Sequence, residues 1–277
     1  MDHANIVSFG KSLLVMSSLR KPKRLTVLGT DEEEHLFLVK GGEDLRLDQR
    51  IQQLFSVMNE IIKKAGFPGR TPLLKTYKVI PMTSSVGIIE WVSDTKPLKS
   101  VLEDEQTGHE KEKKIAQDYH RKWIDEKGGY TNYAGRNREE TVRHMNELYN
   151  MVRWDLLKTA IYKLSASPEA FLSIRSRFGE SLASISVCSY LLGIGDRHLD
   201  NFLVDLNSGQ LVAIDFGHAF GSATQFLPFP ELVPFRMTRQ FVKFLSPHEI
   251  GGLLENTMVR VMTSEALVVL FPFPLPC

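Results

Sequence analysis

Gly193-Ile194-Gly195-Asp196-Arg197-His198-Leu199-Asp200-Asn201, continuing as Phe202-Leu203-Val204 and then Leu211-Val212-Ala213-Ile214-Asp215-Phe216-Gly217, is the stretch on which the fold of this chain turns. Phe202 to Val204 and Leu211 to Ile214 are short apolar strands, and Asn207-Ser208-Gly209 between them supplies a hairpin turn. Asn201 enters the first strand and Asp215 leaves the second. An antiparallel pair therefore sets both side chains at one end, beside the loop that carries Asp196 and His198. Two carboxylates and an amide carbonyl are hard oxygen donors of the kind Mg²⁺ takes, its shell completed by substrate phosphates and water. The absence of Cys from the set disfavours zinc.

Asn201 follows Asp196 by five residues, the interval between Asp and Asn in the kinase catalytic loop, and Asp215-Phe216-Gly217 is the metal-binding triplet of that chemistry. Taken alone, Asp-Phe-Gly is a common surface turn. Joined by one hairpin to Asp196, His198 and Asn201, it points to phosphoryl transfer. Asn201 and Asp215 are then the metal ligands, Asp196 accepts or orients the substrate hydroxyl, and His198 donates toward the charge developing on the phosphoryl group. The order Asp196-Arg197-His198 inverts the His-Arg-Asp of ordinary protein kinases and resembles the phosphoinositide-3-kinase-like superfamily.

Upstream, short β-type segments dominate the first hundred residues: Ser12 to Ser17, Arg24 to Leu28, His35 to Lys40, Thr76 to Pro81 and Val86 to Val92. One helix interrupts them, its stripe Ile51, Leu54, Phe55, Met58, Ile61 and Ile62 closed by Gly66 and Pro68. Lys40 ends a strand and Asp48 stands just before that stripe, so a carboxylate from the covering helix is expected to orient the Lys40 ammonium toward phosphates. Standing alone, Lys40 reads as a surface lysine. No glycine-rich phosphate loop is present; Met16, Ser17 and Ser18, followed by Leu19 and the basic run Arg20 to Arg24, take its place with hydroxyls, backbone N–H groups and cations. In isolation that run reads as a nucleic-acid or localisation patch.

From about Ser93 the character turns helical, which divides the chain into a β-rich lobe with its hinge, residues 1–92, and a helical lobe, 93–277. Glu103 to Lys127, with eight acidic and six basic residues, reads as a solvated insertion with little fixed structure. Glu139 to Leu164 carries a helical stripe of Val142, Met145, Leu148, Tyr149, Val152 and Leu156. Ser167-Pro168-Glu169 starts a helix that Gly179 closes, and a further apolar helix runs from about Ser181 to Leu192.

The chain has 277 residues, 43% apolar and 24% charged, and its net charge of +1 excludes a globally basic nucleic-acid binder. Two cysteines, Cys188 and Cys277, are too few for a disulfide framework, which makes a reducing compartment the default. No leader pattern opens the chain and no run of about 18 apolar residues occurs, so neither secretion nor a membrane span is expected. Leu267 to Pro276, broken by three prolines, reads as an irregular tail.

Met16 to Arg24, Phe37 to Arg46, Leu45 to Arg50, Gly87 to Val92, Ile194 to Asn201 and Ile214 to Arg236 are together similar to the kinase domain of the phosphatidylinositol 3-kinase-related protein kinases, over roughly residues 10 to 245. The resemblance implies an α+β, bilobal protein-kinase-like fold of the PI3/PI4-kinase type. It implies ATP and Mg²⁺ as cofactors and Ser or Thr, often followed by Gln, as the phosphorylated residue. It makes Gly87 to Val92 the hinge, with Glu90, Trp91 and Val92 at the adenine: backbone groups meet the adenine edge while Trp91, more often a core residue when alone, packs on its face. Leu38 and Met16 then lie above the adenine, Tyr77 and Ile89 behind it, and Leu203 and Ile214 below. Nuclear DNA-end repair by non-homologous joining, with recruitment by a DNA-end-binding heterodimer through regions beyond this chain, follows from the same resemblance.

Asp200, Leu203 and the stretch Glu103 to Asn137 depart from the family pattern, and the segment after about Ser246 departs altogether, as if the helical lobe were truncated. Loss of packed helices, at about 25 cal/mol per Å² of exposed apolar surface, weighs against a net stability of about 5–15 kcal/mol, so an inactive fragment is one alternative. A lipid kinase of the same superfamily is another. Against it, His218 to Phe235 contains no Lys or Arg to neutralise a phosphorylated headgroup and offers Phe220, Phe226, Leu227 and Phe229 instead.

Overall fold

The structure, a computed structural model, describes residues 4–264 apart from 19, 68, 106–109, 130, 131, 133, 134, 228, 229 and 232. Leu19, Phe229 and the Leu267 to Cys277 tail thus lie outside the described residues. Six strands build the first sheet: β1 (Ile6–Phe9), β2 (Leu14–Val15), β3 (Lys23–Gly29), β4 (Glu34–Gly41), β5 (Val79–Pro81) and β6 (Val86–Glu90). The order is β1-β3-β4-β6-β5, with β2 also on β3 and every described pairing antiparallel. Only Leu14 and Val15 of the expected Ser12 to Ser17 strand are extended, because Met16 N–H donates to Pro22 C=O (2.9 Å) and closes the chain into a turn there.

Helix α1 (Arg46–Lys64) covers this sheet, burying Ile51, Phe55, Met58, Ile61 and Ile62 of the expected stripe; Leu54 packs against the same core. Burial of that face seats it, because helical stability in a protein comes mostly from tertiary packing of an amphipathic face.

Strand β7 (Thr95–Pro97), which the sequence does not announce, pairs with β8 (Phe202–Asp205), and β8 pairs with β9 (Leu211–Ala213) in the expected hairpin. Helices α2 (Leu98–Glu105), α3 (Glu110–Glu126), α4 (Arg138–Met151), α5 (Leu156–Leu164), α6 (Pro168–Leu192), α7 (Ser222–Phe226), α8 (Arg239–Phe244) and α9 (Leu253–Met262) make up the rest, with α9 packed along α6 and α8 on α5.

Three helical expectations are corrected. Glu103 to Lys127 is largely helix: α3 turns Ala116, His120, Trp123 and Ile124 to one side, and Ala116 and Ile124 are buried. Half of that stripe is His and Trp, which a count of aliphatic residues passes over. Glu139 to Leu164 is two helices divided at Val152, whose backbone is extended. The face of α4 that is buried is the one bearing His144; Val142 and Tyr149 of the expected stripe are exposed. Ser167 does cap α6, its hydroxyl accepting from Ala170 N–H at 3.1 Å, but Gly179 does not end it. A Cβ at Gly179 would stand 3.1 Å from Leu245 Cδ2, so the glycine marks close approach of a neighbour. The helix stops at Gly193, which takes the left-handed conformation (φ +55°) of a C-terminal cap.

Candidate active site between the lobes

Residues 194–198 leave Gly193 as a loop, a single 3₁₀ turn (Leu199–Asn201) follows, and Ile214 N–H donates to Asn201 C=O at 3.1 Å. The hairpin thus closes with Asn201 and Asp215 at the same end, beside Asp196. Asp196 (φ +56°) and Asp215 (φ +59°) are both non-glycine residues in the left-handed region, a conformation that persists only where the surroundings enforce it.

Arg197 enforces much of it. Its side chain is 2% exposed and its guanidinium donates to the carbonyls of Gly195 (2.9 Å), Ile214 (2.8 Å) and Asp215, while lying over the Phe216 ring at 5.3 Å. One fork-shaped donor set therefore fixes the loop to the triplet, a task that a lysine ammonium does not match. Asn201 Nδ2 donates to Asp196 C=O at 2.9 Å. The Asp196 N–H donates to the Glu231 carboxylate.

From the sheet side, β4 delivers Lys40 to within 3.5 Å of Asp215 Oδ2. The expected partner of Lys40 is corrected. Glu43 holds the ammonium at 3.0 Å and also takes Arg20 at 2.7 Å, so Arg20, Glu43, Lys40 and Asp215 form one ionic chain from the β2–β3 turn to the triplet. Asp48 is buried and accepts from Phe216 N–H at 3.0 Å, so its charge acts on Lys40 without a direct ion pair among the described residues. Its helix thereby holds the triplet itself, and Phe55 adds a ring edge to Phe216 at 5.4 Å.

The residues expected to line the adenine slot are placed as follows. Leu38 and Ile89 are direct partners across β4 and β6. Ile89, Val92, Leu203 and Ile214 are partly buried against the core, and Tyr77 is buried, its N–H on Gln52 Oε1 at 3.1 Å. Burial lifts the Tyr77 phenol far above its ordinary pKa. Trp91 lies under the Arg24 guanidinium at 5.3 Å, so a base of the Arg20 to Arg24 run is engaged by this ring. The Glu90 and Trp91 N–H groups are spent on Lys78 and Leu36 carbonyls, and the Glu90 side chain accepts from Lys78 N–H; among the described residues the Val92 N–H donates to no protein acceptor. Ser17 and Ser18 are exposed in the turn, where Lys21 N–H donates to Ser18 C=O at 2.9 Å, and Met16 is half-buried. His198 is half exposed at the outer lip, 4.0 Å from Asp200, which in turn pairs with Lys99 at 3.1 Å.

For Mg²⁺ the donors at hand are Asn201 and Asp215. Among the described residues no group of three or more His, Cys, Asp or Glu is arranged to hold a metal. Two protein oxygens with substrate phosphates is the manner of Mg²⁺, and with Nδ2 of Asn201 fixed on Asp196, its Oδ1 is the atom left to coordinate. The residues fit that ion.

Residues 35–265 match the family described as phosphatidylinositol 3- and 4-kinase. The chain belongs to this kinase family. The match runs past Ser246, so the sequence-based boundary of the resemblance is too short; α9 lies within it. The chain is 48% identical over 284 residues to the DNA-dependent protein kinase catalytic subunit of Dictyostelium discoideum and 46% over 273 residues to that of Mus musculus, covering 95% and 94% of this chain. It is 34% identical over 255 residues to the serine/threonine-protein kinase TOR of Oryza sativa subsp. japonica, covering 92% of this chain and 10% of that protein. Among solved structures, "FAT and kinase domain of CtTel1" superposes with a TM-score of 0.78 at 28% identity, over 94% of this chain and 18% of that one. The chain spans 7% of the length of the DNA-dependent relatives it matches.

Glu43, Arg197 and Glu231 are the residues that sequence reasoning passes over. The Asp196-Arg197-His198 order itself was the signal available for Arg197. For the two glutamates no local signal exists.

Proposed function

We propose that this chain is the catalytic domain of an ATP- and Mg²⁺-dependent serine/threonine protein kinase of the DNA-dependent type. The observation that carries the reading is the convergence of Lys40, from one lobe, on Asp215 at 3.5 Å, with Asn201 and Asp196 on the same hairpin end. Mg²⁺, when bound, neutralises the phosphate oxygens and the charge that develops on them. Lys40 orients the phosphates, Asn201 and Asp215 hold the ion, Asp196 orients the substrate hydroxyl, and His198 donates toward the transferring group. The Val92 N–H meets the adenine edge, and Trp91 and the apolar slot residues enclose the ring. Charge placement and alignment, rather than strong proton abstraction, do most of the catalytic work in such a transfer.

The rim after the triplet supports a peptide over a lipid. Phe220 is 62% and Phe226 73% exposed, and no Lys or Arg stands between His218 and Phe235. An inositol phosphate would enter there without compensating charge, whereas a Ser or Thr followed by an amide side chain meets matching surface. Similarity to relatives named DNA-dependent supports a nuclear role in DNA-end repair, with DNA ends and their binding partner engaged by parts of a longer protein. Ser-Gln peptides and phosphatidylinositol vesicles, supplied in parallel with Mg·ATP, test the reading. Phosphate transfer to peptide is expected; efficient transfer to lipid with none to peptide would overturn it.

A further inference from the structure

The backbone of Asp196 is held from three sides. Gly195 C=O accepts from Arg197 Nε at 2.9 Å, Asp196 C=O accepts from Asn201 Nδ2 at 2.9 Å, and Asp196 N–H donates to Glu231. The first two ties come from within the loop. The third comes from 35 residues downstream, on the far part of the apolar rim. Across His218 to Phe235, Glu231 is the single carboxylate and, with histidine neutral, the single charge. It is spent on a backbone amide of the loop.

The fit around that bond is close. A Cβ on Gly195 would stand 2.2 Å from Ala223 Cβ and 2.9 Å from Glu231 Oε2, so only glycine lets the rim press on the loop. Glu231 is also tied into the rim, its C=O accepting from Thr224 Oγ1 at 3.0 Å. The near part of the rim has its own backbone bonds to the end of α6, from Phe220 N–H to Leu192 C=O (2.8 Å) and from Gly221 N–H to Gly193 C=O (2.9 Å), and to the loop, where Gly195 N–H donates to His218 C=O (2.9 Å). The Glu231 carboxylate is the side-chain link from the far part.

We infer that Glu231 is a positioning residue that couples the substrate rim to Asp196, so that a peptide seated on the rim also fixes the aspartate that receives its hydroxyl; this rests on the phosphotransfer reading above. A charge-assisted bond to an amide is stronger than a neutral one, and it restrains a residue in the left-handed conformation, which persists only where its surroundings enforce it. Misplacement of such a residue by about 1 Å costs on the order of a hundredfold in rate.

The test compares Glu231→Ala and Glu231→Gln in the full chain. Amide hydrogen exchange at Asp196 is expected to rise about tenfold or more in Glu231→Ala and to stay near wild type in Glu231→Gln, which keeps an acceptor oxygen. With Ser-Gln peptide, kcat is expected to fall about tenfold to a hundredfold in Glu231→Ala with KM for ATP unchanged, and Glu231→Gln to recover most of it. Unchanged exchange and kcat in Glu231→Ala would overturn the assignment, as would a Glu231→Gln variant as slow as Glu231→Ala with an equal loss of melting temperature. A wild-type chain that turned over no peptide would defeat the phosphotransfer reading, and Asp196 exchange would still decide the role of Glu231.

Discussion

Burial draws the pKa of the Lys40 ammonium down, but the charges of Asp215, Glu43 and Asp48 outweigh it and leave the group above the ordinary lysine value. Lys40 is therefore a cation throughout the working pH range, and its aim depends on Glu43. Glu43→Ala releases Lys40 and Arg20 together, and the expected result is a KM for ATP raised about tenfold, the equivalent of one charge-assisted hydrogen bond of about 1.5 kcal/mol. Asp48 behaves differently. Burial, the largest influence on it, lifts its pKa above the ordinary aspartate value against the Phe216 N–H. The native state then keeps the Asp48 proton to higher pH than the unfolded chain, and this contribution to stability is lost as pH rises through the lifted value. Asp48→Asn, which retains an acceptor for Phe216, is expected to melt at or above the wild-type temperature, whereas Asp48→Ala melts lower. A rise in KM for ATP in Asp48→Asn with none in Glu43→Ala would restore Asp48 as the partner of Lys40. Asp196, Asn201 and Asp215 are legible in the sequence because one hairpin brings them together. The Asp48 contact with Phe216 spans 168 residues, and no local pattern announces it.

Where α3 meets α4, the packing is aromatic. His144, 2% exposed, stacks on Trp123 at 4.2 Å and on Tyr119 at 4.9 Å, and its Nε2 lies 3.1 Å from His120 Nδ1. Its own Nδ1 is buried without a partner. Burial and then the neighbouring His120 push the His144 pKa below the ordinary histidine value, while Glu147, bonded to the Tyr119 hydroxyl, opposes the shift. The unfolded chain then binds a proton that His144 excludes in the folded state. This stability is complete above about pH 6.5 and is lost as pH falls from there through the lowered value. Melting temperatures measured from pH 7.5 to 5 are expected to fall in the wild type more steeply than in His144→Phe; equal slopes would contradict the account. The charged run over α3 hid this element because its inward face, Ala116, His120, Trp123 and Ile124, carries a single large aliphatic residue. Gly179 misled in the opposite sense: a glycine that marks close packing against Leu245 reads, in one dimension, as a helix stop.

At the scale of the whole molecule, the sheet-rich part and the helical part are joined by a few long-range bonds, two of them at the candidate site. Asp48 holds Phe216, Lys40 holds Asp215, Ser184 Oγ donates to Pro72 C=O at 2.5 Å, and Gln210 Nε2 donates to Leu73 C=O at 2.9 Å. The bilobal layout was legible because strand and helix periodicities separate near Ser93, whereas β7 was not, being three residues long and defined by its pairing with β8. The central claim is that residues of both lobes form one Mg·ATP site around Asp215. Calorimetric titration of Mg·ATP into the wild type and Asp215→Ala tests it most directly. The account predicts saturable, Mg²⁺-dependent binding to the wild type that the variant loses while keeping its fold by circular dichroism; equal Mg·ATP affinity in the two would contradict it.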